Sequence, residues 1–316
     1  MYRFVLTCLL SWVLFAGLRA QQRAFHYQHD FRPQGAFFQN DTLPNPARKR
    51  TAIGAAASGY VVTGLYLGFN WYANEPLTRF HFFNDWREWQ QIDKFGHALG
   101  GYHATKWVTG LCKWSGMPKR QSLVVGGVSG FMAMSTIEVL DGFGEGWGFS
   151  WPDIGANFVG ASLAVTNQAL WNEDRIQLKV SWLPSPYARV DSLQRLFGST
   201  PVEWLLKDYN GQTLWMSFRV HSFLPEGRLK TIWPRWLNVA AGYGAEGLLG
   251  NYGREPWAAI QAREYRQYYL GLDVDFSQIR TRSGFLNSLL SVASIFRVPM
   301  PAVRFDQQGV SFRVLQ

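Results

Sequence analysis

Cysteine is almost missing from this chain: 316 residues contain two, Cys8 and Cys112. Cys8 lies inside the apolar stretch that opens the sequence, too near the start to read as a lipid-attachment site. With that stretch removed, Cys112 stands alone and no intramolecular disulfide can form. Lys113 is the one neighbour able to activate the thiol, so Cys112 is read as a small buried hydrophobe. Acidic residues are few as well, 22 against 31 Lys and Arg, for a net charge of +9. HExxH, GxSxG and paired cysteines at zinc spacing are all missing, which removes the usual marks of a zinc protease, an α/β-hydrolase or a zinc ribbon. No repeat or long low-complexity tract is present, which removes solenoid architectures.

What is present begins with a leader. Arg3 precedes the apolar run 4–17, and Leu18-Arg19-Ala20 ends on a small residue before the polar Gln21. A positive start, a short apolar core and a small residue at the cut predict a cleaved signal peptide over 1–20, hence an exported protein of the periplasm or outer membrane. Export excludes nucleic acid as a partner. The basic surface, with 15 Trp and 13 Tyr, suits a membrane or envelope lipid instead. No motif specifies a protein partner.

Four segments follow from the pattern. Residues 1–20 are the signal, and 21–50 form a polar arm or linker ending in Arg48-Lys49-Arg50. Residues 51–172 read as about four helices: 51–73, a second from an Asn84-Asp85 cap with Glu88 to Trp114, a third over about 122–141, and a fourth from Ser150 to about Trp171. Three of these are long enough to cross a bilayer, whereas a mean hydropathy of −0.13 is low for a polytopic membrane protein. The run 142–148, with glycine at every second position, must be a loop. Residues 173–316 change period to two. Leu214, Met216 and Phe218 alternate with Trp215, Ser217 and Arg219, and Leu270, Leu272 and Val274 alternate with Gly271, Asp273 and Asp275, which predicts strands. Shorter strands are expected at 178–183, 237–243 and 310–315, and a helix at 285–296. Asp273 and Asp275 are expected to point to solvent. The fold class is α+β: an N-terminal helical bundle followed by a C-terminal antiparallel β-rich unit.

The helices carry spaced polar pairs. Asp93 and His97 lie four apart with Lys94 beside them, Glu138 and Asp141 three apart, and Asp153 and Asn157 four apart. Small residues share each face, so the pairs are expected to converge between closely packed helices. Charges inside an apolar bundle must be paired, hydrated or metal-bound. The run Asp93-Lys94-Phe95-Gly96-His97, then Glu138 with Asp141, then Ser150-x-x-Asp153-x-x-x-Asn157-x-x-Gly160, resembles the uncharacterised YfiM-like family of predicted periplasmic lipoproteins. It is also distantly similar to the VanZ-like membrane family, through its Asp-Lys-x-x-His start and Asp-x-x-x-Asn-x-x-Gly end. The resemblance covers about 75–172 and implies an envelope location but no established reaction.

Two chemistries fit the cluster of Asp93, Lys94, His97, Glu138, Asp141, Ser150, Asp153 and Asn157. In the first it is a non-catalytic ionic lock, with Lys94 neutralising Glu138 or Asp153 and Ser150-x-x-Asp153 capping a helix. In the second it is a hydrolase acting on envelope lipid or cell-wall material. There His97 and Glu138 are the catalytic pair, either with Zn²⁺ or Mn²⁺ held by His97, Glu138, Asp141 and Asp153, or without metal, His97 acting as general acid and base oriented by Asp93 or Asp153. A small integral transporter or channel is a third class.

Overall fold

The computed structural model describes residues 40–41, 43–72, 76–249, 263–279 and 281–314. The expected signal peptide, 1–20, and most of the arm lie outside the described residues. Helix α1, Pro46–Leu67, starts earlier than the composition suggested. The Asn45 side chain accepts from the Ala47 and Arg48 amides, so Arg48, Lys49 and Arg50 sit in the first turns of the helix rather than in the arm.

Helices α2 (Ile92–Trp114), α3 (Lys119–Asp141) and α4 (Trp151–Thr166) form the centre of the helical part. α2 packs along both α3 and α4. The expected cap at Asn84–Asp85 does not start α2. Trp89, Gln90 and Gln91 take left-handed φ values of 50°, 49° and 64°, so the chain turns once more before the helix begins. Ser150 does cap α4, its hydroxyl accepting from the Asp153 amide, and Pro152 occupies the first turn, where no amide is needed. Among the described residues one helix, α3, is long and apolar enough to cross a membrane, and 28% of its most apolar window is buried.

Close approach of the helices depends on glycine. A Cβ at Gly160 would lie 1.9 Å from the Ala98 carbonyl oxygen, and one at Gly130 would lie 2.5 Å from the Thr105 amide. α2 can therefore rest on α4 and α3 backbone to backbone.

The C-terminal part is a six-stranded antiparallel meander, β1 (Ile176–Trp182), β2 (Gln212–Phe218), β3 (Leu237–Glu246), β4 (Tyr265–Val274), β5 (Ala302–Asp306) and β6 (Gly309–Arg313), in that spatial order. The predicted α+β class is what forms. Helix α5, Pro201–Lys207, with a Thr200/Glu203 capping box, lies between β1 and β2, and α6, Gly284–Ala293, between β4 and β5. β5 escaped the periodicity because its five residues are interrupted by Arg304. Asp273 and Asp275 do not face solvent: both are fully buried, paired with Lys179 and Arg219 respectively.

The two parts share a core. Ile92 of α2 packs with Val180 of β1, Leu214 of β2, and Ala245 and Leu248 of the β3 end. The His103 ring reaches the Leu178 carbonyl at 2.8 Å, fastening the middle of α2 to β1. With Ile92 anchored on the strands, the polar residues beside it at the start of α2 stand at the junction of helices and sheet.

Candidate functional site

Lys94 is the hub. It leaves the first turn of α2 and is 7% exposed. Its Nζ lies 2.5 Å from Asp85 Oδ2, 2.9 Å from Asp93 Oδ2 and 2.7 Å from Asp153 Oδ1. One cation therefore joins the loop before α2, α2 itself and the first turn of α4. Burial opposes the ammonium, yet three carboxylates outweigh it, and its pKa rises. The carboxylates are held in turn by neutral donors. Ser150 Oγ donates to Asp85 Oδ1 at 2.6 Å, and Tyr209 OH donates to Asp93 Oδ1 at 2.8 Å.

His97 sits one turn further along α2, between two groups of acceptors. Nδ1 lies 3.1 Å from Asn157 Oδ1 and 3.4 Å from Glu138 Oε1. Nε2 lies 3.8 Å from Asp93 Oδ1 and 4.0 Å from Asp153 Oδ1. If Nδ1 carries the proton and donates to Asn157, Nε2 is left as a lone-pair donor facing two carboxylates.

Protonation follows position. Burial pushes the Glu138 carboxyl up to about 10, helped by Asp153, Asp141 and Asp93. Burial and the neighbouring Asp93 push Asp153 up to about 9. Asp141 rises to about 6 by burial, despite the 2.5 Å hydrogen bond from Tyr72 OH. Asp93 goes the other way: burial opposes its charge, but His97, Lys94 and the Tyr209 hydroxyl hold it at about 2. Asp93 is thus firmly ionised beside Lys94, while burial raises the proton affinity of Glu138, Asp153 and Asp141. Glu138 Oε1, in a side chain 1% exposed, has no hydrogen-bond partner among the described residues.

All eight sequence-selected residues belong to this junction, but not as one ligand set. Asp93, His97 and Asp153 offer atoms within 4.8 Å of one another, which must draw closer before bonds of about 2.0–2.2 Å to one divalent ion can form. Glu138 faces the opposite ring nitrogen, so one ion on Nε2 cannot also take Glu138. Asp141 is engaged by Tyr72. Lys94 neutralises Asp153, as the lock requires, and Glu138 is held differently: its Oε2 accepts from the Ser150 amide at 3.4 Å. The sequence marks Asp85 only as a helix cap and gives no signal for Tyr72 or Tyr209. The two tyrosines come from outside α2–α4, beyond the reach of helical spacing.

The cluster opens into a cleft of about 1260 Å³. Asp93, His97, Glu138 and Asp141 line one region; Leu67 of α1, Val108 and Leu111 of α2 and Ile137 of α3 line apolar walls. The His97 imidazole could move a proton to or from a group bound in this cleft, and the walls could take a hydrocarbon chain. Away from the cleft, Cys112 is buried and its thiol is pushed up by that burial, in keeping with a structural role.

Residues 82–169 match the model of a family described as predicted periplasmic lipoprotein (DUF2279). The matched segment runs from just before Asp85 to beyond the end of α4, and so includes Lys94, His97, Glu138 and Asp153 but neither Tyr72 nor Tyr209. It supports an exported, periplasmic envelope protein. No curated protein and no solved structure matches the chain.

Proposed function

We propose that this is a non-catalytic cell-envelope protein, acting in assembly or maintenance of the envelope and facing the outer membrane. Its polar cluster is the lock that sets the register of the helices. The Lys94 ammonium carries this reading, since it contacts carboxylates from a loop and two helices at 2.5–2.9 Å. It already supplies the positive charge that a metal would bring to Asp93 and Asp153. The match of residues 82–169 to a predicted periplasmic lipoprotein family supports the envelope placement.

A second reading has its own observation. His97 Nε2 faces Asp93 and Asp153 in the wall of a cleft with apolar sides, and Glu138 Oε1 there has no hydrogen-bond partner among the described residues. That arrangement suits a hydrolase of envelope lipid or cell-wall material, either His-based or with Zn²⁺ or Mn²⁺ held by Asp93, His97 and Asp153. Metal analysis of the purified full chain separates the two. The lock predicts no stoichiometric zinc or manganese, with His97→Ala and Glu138→Gln altering stability alone. Stoichiometric metal lost in His97→Ala would overturn it in favour of the enzyme.

A further inference from the structure

The sheet buries ion pairs on one face and leaves large apolar side chains bare on the other. On one face the strand registers place Gln177, Lys179, Ser217, Asn238 and Asp273, and these are buried. Lys179 and Asp273 pair at 2.6 Å with both side chains 0% exposed, and Ser217 Oγ donates to the same Asp273 oxygen at 2.6 Å. Trp215 and Tyr269 lie on the same face, buried with Ala240 and Ala302, and Gly242 and Gly271 complete it. On the other face, register aligns Met216, Ala241, Leu270, Val303 and Phe312 in one row and Tyr243, Tyr268, Phe305 and Val310 in the next. There Leu270 is 52%, Phe312 67% and Val310 71% exposed. Where this face passes over β1 and β2 it is covered, Val180 and Leu214 being buried against Ile92 of α2. Val274 at the end of β4 is buried too, and the rest of the face over β4 to β6 is largely bare among the described residues.

A half-wet antiparallel sheet normally turns its polar residues to water and its apolar ones inward. Burying an ion pair costs several kcal/mol in desolvation, on the order that its Coulombic attraction only just returns. Exposing rows of Leu, Phe, Tyr and Val to water adds a hydrophobic penalty. That penalty vanishes when the outer medium is hydrocarbon, and a polar side turned inward is then the expected arrangement, as for strands that face lipid. We propose that the apolar face of β4–β6, with Met216, contacts the acyl chains of an envelope membrane. A bilayer fits better than a protein partner because bare apolar side chains are not confined to the sheet. α6 presents Phe285 and Leu289, and α3 presents Val128 and Met132. The net charge of +9 complements anionic headgroups. The inference rests on the envelope reading for the presence of that membrane.

The test uses the full chain in a Cys8→Ser background, with single Leu270→Cys, Phe312→Cys or Gln307→Cys substitutions spin-labelled after binding to phosphatidylethanolamine/phosphatidylglycerol vesicles. Gln307 is exposed in the β5–β6 turn. Buried Cys112 stays unreactive while the helical core is folded, which reports on each variant's integrity. The expected result is several-fold greater relaxation by oxygen than by a water-soluble nickel chelate at 270 and 312, and the reverse at 307. Nickel accessibility at 270 and 312 equal to that at 307 would overturn the proposal. So would labels that are dry in a lipid-free dimer, which assigns the face to a second copy. Fractionation of cells reads export separately: a chain retained in the cytoplasm sinks the envelope reading, whereas wet labels on an exported chain sink this inference alone.

Discussion

At the residue scale the cluster is governed by charge that cannot be left unpaired. Replacing Lys94 by Met removes the ammonium that joins Asp85, Asp93 and Asp153. Breaking a buried charge network this way costs about 3–5 kcal/mol, so Lys94→Met is expected to lower the denaturation midpoint far more than His97→Ala. Equal midpoints for the two variants would contradict the lock. Glu138 makes a pH prediction. Its proton is held to about pH 10 in the folded chain but leaves near its ordinary 4.5 when unfolded. The stability linked to that proton is therefore full below pH 4.5 and is lost as pH rises towards 10. A single such proton changes stability by up to about 1.4 kcal/mol per pH unit. Asp153 adds a loss in the same direction, from about 3.8 towards about 9, and Asp141 a narrower one from about 3.8 to about 6. Glu138→Gln should flatten the decline between about pH 6 and 9 and leave the variant more stable than wild type at about pH 8. Guanidinium titrations across that range measure it.

At the element scale glycines set how near the helices stand. Gly160→Ala would drive a methyl into the Ala98 carbonyl, and overpacking of this kind costs about 1–3 kcal/mol. A Cβ at Gly155, on the same helix, would meet nothing within 4 Å, so Gly155→Ala should stabilise by about 0.5–1 kcal/mol through helix propensity. Thermal denaturation of the pair gives opposite signs if α2 and α4 touch as described. Much of this level was legible in the sequence: Ser150 with Pro152 marked the start of α4, and the two-residue period marked β2 and β4. The start of α2 was not. The left-handed turn at Trp89–Gln91 carries no glycine to signal it, and it is held by packing of Trp89 on Tyr209, a residue far away in the sequence.

At the scale of the whole molecule the helical and β parts share Ile92, Val180 and Leu214 in one buried cluster. Neither side can lose its partner without exposing that core, so unfolding should be a single event. Far-ultraviolet circular dichroism and tryptophan fluorescence are expected to give coincident denaturant curves; separated midpoints would show two independent units.

What the sequence by itself determined is the class of each segment and the convergence of its ionisable residues. Periodicity and capping are local, and Asp93, His97, Glu138 and Asp153 were marked by their spacing along helices. What the tertiary structure alone decided is pairing and sidedness. Whether Lys94 meets Asp153 or Glu138, and which ring nitrogen of His97 faces which carboxylate, depends on how three helices rotate against one another. The two-residue period shows that a strand has two faces, but it is silent on which one is buried. Here Lys179 and Asp273 turned inward because they found each other across the fold, at a sequence separation of 94.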